Sequence, residues 1–255
     1  MIRLNGSPEC AAMTDIFDWT RLTDDPNDRE AKRLVEKRLL TARQIHMDRD
    51  LAQYVLDAAT GKRVLDVGVA EHAARYIRDP GWRHGRIRAV ATRCVGIDIL
   101  EPLVHELQEQ GYDVRCLDAT SEADLGERFD LVFIGDVIEH VDNAVALLRF
   151  ASRHLEPGGR VLVSTPNPFS RKFYRRFRRE GGVVMINLDH VAWFSQTMAL
   201  ELGRRAGLAL RAYHLIKPIA RWKQPLERLA WRFVPPEYTF PDFLFEFRAP
   251  RPDAA

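Results

Sequence analysis

The chain has 255 residues, 46% of them apolar and 29% charged, with a formal net charge of +2. That is the make-up of a globular protein with one full α/β domain and appendages, or two small domains, and so small a net charge singles out no nucleic-acid or acidic partner. Cys10, Cys94 and Cys116 are scattered and form no CxxC pair, which excludes a disulfide framework or a cysteine zinc motif and fits a reducing compartment. No basic-then-apolar leader stands at the start, and no apolar run approaches the roughly 20 residues of a membrane span, so the expectation is a soluble, cytoplasmic protein.

Residues 1–26, broken by Pro8 and Pro26, read as irregular. Across residues 27–59, Leu34, Val35, Leu39, Leu40, Ile45, Leu51, Tyr54, Val55 and Leu56 recur at mostly helical spacing. Asn27 or Asp28 is the expected cap and Gly61 the stop, so residues 1–60 are read as an N-terminal helical extension. From Gly61 the pattern changes to short apolar runs at 64–67, 94–97, 114–117, 131–134 and 160–164, with helical stretches at 102–110 and 142–154 between them. The EPGG at 156–159 turns the chain out of the second of these helices. Residues 195–206 read as a capped helix ended by Gly207, and 208–215 and 243–247 as two last strands, an antiparallel hairpin at the sheet end. Strands alternating with helices predict a largely parallel sheet covered on both faces. Residues 81–93, with Trp82, Arg83 and His84, lengthen the first crossover, and 169–187 and 217–241 lengthen two later connections. Ligands bind outside the carboxyl ends of such strands, so these insertions are expected to shape a substrate pocket.

The first strand hands over to a turn in VLDVGVAEH, residues 64–72. A dinucleotide loop uses glycines so that backbone N–H groups reach a pyrophosphate; here Ala70, Glu71 and His72 stand in that approach, and a carboxylate there repels phosphate. NAD and FAD are therefore disfavoured. S-adenosylmethionine has no phosphate. Gly68 lets the backbone pass under its methionine portion, and Asp66 and Glu71 are candidate partners for its ammonium. Asp98, in VGID, ends the second strand, where a carboxylate takes ribose hydroxyls. Asp118, in CLDAT, follows the third, within reach of an adenine amino group. FDLVFIGDVIEHV, residues 129–141, carries the fourth strand into a loop under the sulfonium.

In this order the motifs resemble class I S-adenosylmethionine-dependent methyltransferases, in the branch with ubiquinone-biosynthesis O-methyltransferases and polysaccharide and natural-product enzymes. The likeness covers about residues 62–215, with LEPGGRVLVSTPNP and DHVAWFS among its more specific pieces. It implies a Rossmann-like, doubly wound, mostly parallel seven-stranded sheet with an antiparallel last strand and helices on both faces, spanning residues 61–255 with insertions at 169–187 and 217–241. It also implies cofactor contacts at Asp66, Gly68, Val69, His72, Asp98, Ile99, Asp118, Ala119 and Gly135. Where the family usually has Gly-Cys-Gly, this chain has Gly68-Val69-Ala70; a subset with longer first crossovers keeps a histidine near His72.

Asp136, Glu139 and His140 stand at i, i+3 and i+4, one face of a helix if a helix starts there. With His190, after the fifth strand, they form a candidate site for Mg²⁺ or Mn²⁺. The set is similar to the Glu-x-x-Glu-His plus distant His of metal-dependent small-RNA 2′-O-methyltransferases and to a metal site in some ubiquinone-pathway enzymes, with Asp136 one methylene shorter. A metal lowers the pKa of an attacking hydroxyl; without one, His140 or His190 is the general base. A third reading leaves Asp136 and Glu139 as helix caps and His140 as the partner of a neighbour. In SRKFYRRFRRE, residues 170–180, arginines interleave with Phe173, Tyr174 and Phe177; this is either a solvated amphipathic helix or a binder of an anionic substrate group or membrane surface, with RNA disfavoured. Trp193, Phe194 and Trp222 are candidate walls of an acceptor pocket. The expected activity is methyl transfer from S-adenosylmethionine to oxygen of a small-molecule or glycan acceptor. A metal-dependent RNA ribose methyltransferase and a non-catalytic binding protein with a degenerate loop stay open as alternatives.

Overall fold

The computed structural model describes residues 16–250, apart from 72 and 184–186. Its strands are β1 (Arg43–His46), β2 (Arg63–Val67), β3 (Arg93–Asp98), β4 (Val114–Cys116), β5 (Phe129–Gly135), β6 (Leu155–Pro166), β7 (Ala209–Ile216) and β8 (Asp242–Arg248). They form one sheet in the order β1-β7-β8-β6-β5-β2-β3-β4. β8 runs antiparallel to both its neighbours, β6 and β7, while the other pairs are parallel. The helices are α1 (Arg29–Ala42), α2 (Leu51–Ala59), α3 (Ala74–Ile77), α4 (Arg83–Val90), α5 (Glu101–Glu109), α6 (Ala144–Arg153), α7 (Arg171–Arg179), α8 (Gln196–Ala206) and α9 (Gln224–Ala230).

Local chemistry sets the helix starts. Asp28, Asp50, Asn143 and Ser195 accept the backbone N–H of Ala31 (2.8 Å), Gln53 (2.7 Å), Ala146 (3.0 Å) and Met198 (3.3 Å). Each such cap stabilises its helix by about 1 kcal/mol. Gly207 ends α8 in the left-handed conformation, φ 74°.

The alternating doubly wound architecture is as expected, with two corrections near the β1 edge. The stretch 27–59 is not one helical run: the chain is extended from Arg43, pairs with β7 as β1, and restarts as a helix at the Asp50 cap. The sheet therefore has eight strands rather than seven; β7 and β8 pair antiparallel as expected, but not at the sheet end, because β8 lies between β6 and β7 with β1 outside them. Four residues are too few for a readable alternation, and the partner strand lies some 170 residues away in sequence.

The central strands are buried on both faces. Val132 and Ile134 of β5 face a core shared with Leu39 of α1, Leu147 and Phe150 of α6 and Leu200 of α8. Leu131 and Phe133 face Val55 and Ala59 of α2 and Ile87 of α4. Each such side chain contributes about 1.5–3 kcal/mol on burial. From β2 the chain winds outward through β3 and β4, then returns to place β5 on the other side of β2. That reversal opens a crevice between the carboxyl ends of β2 and β5, the place where open α/β sheets take ligands. The two long connections meet near the same end of the sheet. Arg171 of α7 pairs with Glu227 of α9 (2.9 Å), and Asn167 donates to the carbonyls of Glu237 and Phe240 (2.8 Å each).

Candidate active site

The chain leaves β2 through Gly68, whose φ of +80° lies in the left-handed region and whose Cβ, were it present, would overlap the Val137 side chain. This turn therefore requires glycine. Two non-glycine residues share the left-handed region, Glu71 (φ 47°) after β2 and Asp136 (φ 54°) after β5. Such strain, of order 1–3 kcal/mol per residue, concentrates at ligand sites, and here it flanks the crevice.

Asp98 ends β3 half-buried. Its Oδ2 accepts the N–H of Ala70 (2.8 Å) and its Oδ1 that of Leu100 (3.0 Å). Each oxygen keeps a second lone pair, so the carboxylate can brace the loop and still receive two hydroxyls. Asp118 lies just past β4, exposed, with Oδ1 accepting the N–H and hydroxyl of Thr120 (2.7 Å each). Ile99 is 67% exposed, an uncovered apolar surface beside Asp98 that suits a flat base; Ala119 is buried. These positions suit a nucleoside without phosphate.

Two expected contacts fall elsewhere. Asp66 shares a sheet face with Val64, the face that α4 covers, so its carboxylate is fully buried with Oδ2 2.9 Å from His84 Nδ1. It secures α4 to β2 and is not presented to a ligand's ammonium. Val69 is buried against Trp82, whose indole donates to the Val69 carbonyl (2.8 Å). His72 lies outside the described residues.

Arg83, the first residue of α4, reaches into the crevice from the same face. Its Nη2 donates to the Gly68 carbonyl (3.0 Å), its guanidinium lies 5.1 Å over the Phe133 ring, and a Cβ on Gly135 would overlap it. Gly135 is thus the space that admits this cation. The Nε of Arg83 is buried with no hydrogen-bond partner among the described residues. The sequence placed Arg83 only in a long crossover; nothing local tells that it arrives beside Gly68.

Beyond β5 a short 3₁₀ turn, Ile138–His140, replaces the expected helix start. Asp136 precedes it in the left-handed conformation, so no continuous helix carries it onto one face with Glu139 and His140. Its Oδ1 accepts the Ser164 hydroxyl (3.0 Å) instead, and the four-residue ligand set is corrected to three. Glu139, His140 and His190 each offer one ligand atom, all within 4.8 Å of one another. The N–H groups of Val191 and Ala192 donate to the Glu139 carbonyl (2.9 and 3.3 Å), which straps the His190 loop to the turn. The two imidazoles are perpendicular with centroids 4.6 Å apart, and Asp189 Oδ2 lies 3.1 Å from His140 Nδ1.

Glu139 is 1% exposed. Its Oε2 accepts the Thr165 hydroxyl (3.0 Å) and its Oε1 has no hydrogen-bond partner among the described residues. Burial, and after it the charge of Asp136, push its carboxyl up to about 8. Burial also raises Asp242 to about 6, reinforced by Asp136 and opposed by Lys172. One buried carboxyl with an unused oxygen and two imidazoles can pass a proton or hold a divalent cation. Of the three expected pocket walls, Phe194 is core, Trp193 packs edge-on against Phe173 (5.1 Å), and Trp222 is 70% exposed.

The profile of the methyltransferase-domain family matches residues 42–213. A ubiquinone biosynthesis O-methyltransferase of Bradyrhizobium sp. (strain ORS 278) is 34% identical over 118 residues, 44% of this chain and 43% of that one. A phosphoethanolamine N-methyltransferase of Triticum aestivum is 26% identical over 137 residues, 50% of this chain and 26% of that one. The chain spans about half the length of the curated relatives it matches. Among solved structures, an S-adenosylmethionine-dependent methyltransferase from Mesorhizobium loti shares the fold, with a TM-score of 0.50 at 18% identity over 77% of this chain and 97% of that one. The family match runs from the end of α1 into β7 and so takes in both strand ends that frame the crevice: the chain belongs to the class I S-adenosylmethionine-dependent methyltransferases.

Proposed function

We propose that the chain transfers a methyl group from S-adenosylmethionine to an oxygen of a small-molecule or glycan acceptor. The observation that carries this reading is the convergence of Glu139, His140 and His190 beside the β2/β5 crevice. When bound, the cofactor supplies an electrophilic methyl group on a sulfonium. Asp98 would hold the ribose hydroxyls, Asp118 the adenine amino group and Ile99 a face of the base. The Ala70 N–H is committed to Asp98 and the loop lacks its further glycines, so Arg83 would meet the methionyl carboxylate with a charge-assisted hydrogen bond.

A hydroxyl must lose its proton as it attacks, whereas an amine attacks through a free lone pair. His190 or His140 can take that proton. Glu139, His140 and His190 would also hold Mg²⁺ or Mn²⁺, which lowers the hydroxyl pKa. The phosphoethanolamine relative's name makes transfer to nitrogen the rival outcome.

The test begins with calorimetric titration of S-adenosylhomocysteine into folded, cofactor-free protein. Micromolar binding is expected, weakened roughly tenfold or more by Asp98→Asn and Asp98→Ala through loss of charge-assisted hydrogen bonds. Hydroxyl and amine acceptors are then compared with and without chelator. Absence of binding overturns the cofactor reading, and turnover confined to amines overturns the oxygen assignment.

A further inference from the structure

We propose that the face carried by α9 docks on an anionic lipid bilayer. The helix and the turns on either side of it read RWKQPLERLAWRF, residues 221–233. Trp222, Leu226, Leu229 and Phe233 stand at i, i+4, i+7 and i+11, a single helical stripe. They are 70%, 60%, 53% and 84% exposed. The inward side is held by polar contacts together with the Trp231 ring, which packs on the core: Glu227 pairs with Arg171 and accepts the Thr239 hydroxyl (3.1 Å), and Trp231 donates its indole N–H to that same hydroxyl (2.9 Å). An ordinary surface helix buries its apolar stripe. This one anchors the opposite side and turns the stripe outward, and contiguous exposed apolar patches mark contact surfaces.

Charge selects the partner. Arg221, Lys223, Arg228 and Arg232 flank the stripe, all exposed. The adjoining α7 adds exposed Lys172, Arg175, Arg178 and Arg179 beside the exposed rings of Tyr174 and Phe177. Residues 171–180 and 221–233 together hold ten Lys and Arg against two Glu, in a chain whose net charge is only +2. Both glutamates are taken up by arginines, Glu227 by Arg171 and Glu180 by Arg176 (2.8 Å). A two-fold contact between copies of this chain would set the four flanking cations against their own images. Nucleic acid would have no use for Leu226 and Leu229. Aliphatic and aromatic side chains at the centre with arginines and lysines at the rim are what the headgroup boundary of an anionic bilayer accommodates. No helix among the described residues is long and apolar enough to cross a membrane, so the contact is one of surface docking. The docked face adjoins the candidate active site, because Phe173 of α7 packs on Trp193 and the charge of Lys172 acts on Asp242.

The experiment is flotation of the full chain with phosphatidylcholine vesicles, alone or with about one third phosphatidylglycerol. Each basic side chain near a strongly anionic surface raises partitioning roughly fivefold, so binding to the mixed vesicles should exceed binding to neutral ones at least tenfold and fall with salt. Trp222→Ser with Phe233→Ser touches exposed side chains only. It should abolish flotation with an unchanged melting temperature and unchanged S-adenosylhomocysteine binding. Arg228→Glu with Arg232→Glu should remove the salt-dependent part. Failure to float with anionic vesicles, equal flotation of the variants, or a wild-type dimer that the serine variant dissociates would each overturn the proposal.

Discussion

Replacing Glu139 by glutamine should stabilise the protein at neutral pH, and the gain should vanish in acid. The side chain is 1% exposed, its Oε1 has no hydrogen-bond partner among the described residues, and Asp136 adds a second negative charge nearby. Burial first, and then Asp136, raise its carboxyl from 4.5 to about 8. A raised carboxyl destabilises the fold wherever the unfolded chain has already released the proton. The cost is absent well below pH 4.5, grows by about 1.4 kcal/mol per pH unit up to about 8, and is level above that. At pH 7 it amounts to about 3 kcal/mol. Glutamine keeps the shape of the neutral acid and cannot ionise. For a chain of this size the gain corresponds to a rise in Tm of roughly 5–10 °C. The assay is urea unfolding of both proteins at pH 4 and pH 7, in excess chelator so that no cation offsets the charge. A variant that matches the wild type at both pH values, or is less stable at pH 7, refutes the reasoning. A rise in stability paired with a loss of methyl transfer would mark Glu139 as a residue kept for function at a cost in stability.

Arg83→Gln should weaken S-adenosylhomocysteine about 10- to 100-fold by titration calorimetry, the range for a lost charge-assisted hydrogen bond. 5′-Methylthioadenosine, which lacks the methionyl carboxylate, should change less than about twofold, the scale of a contact not made. Equal losses for both ligands would make Arg83 structural, and tighter binding of either would make it a plug. Glu246 works in the opposite sense to Glu139. Burial alone would raise its carboxyl, but the hydrogen bond from His214, then the charges of Arg160 and Arg248, hold it at about 2. Its contribution is therefore fully present above pH 4.5 and lost as the pH falls toward 2. Glu246→Gln should cost about 3 kcal/mol at pH 7 and flatten the acid limb of the stability profile, read by urea unfolding; an unchanged acid limb would contradict this.

Strand ends, helix starts and the special turn were legible from local spacing. An apolar run followed by an acid marked Asp98 and Asp118, Ser195 and Gly207 bracketed a helix, and Gly68 stood at a position that only glycine can fill. The cofactor family followed from the order of those strand ends. The acid–imidazole cluster was half legible: Glu139, His140 and His190 do converge, but the left-handed backbone at Asp136 turns that carboxylate toward Ser164.

What the sequence determined by itself were properties that a short stretch of backbone decides through hydrogen bonding, side-chain period and allowed φ: where elements begin and end, and which residues share a face. Which faces meet was left to the tertiary structure. Asp66 was read as a partner for a ligand's ammonium, and only the packing of α4 brings His84 to it and Arg83 to Gly68. β1 exists because β7 offers it a free edge, and no local signal outweighed the helical pattern around it. The stripe from Trp222 to Phe233 has the period of a buried helix face, and only the pairing of Glu227 and Trp231 with the domain shows that it turns outward. Side-chain period is an intrinsic property of a segment, whereas burial belongs to the contact between segments far apart in the chain.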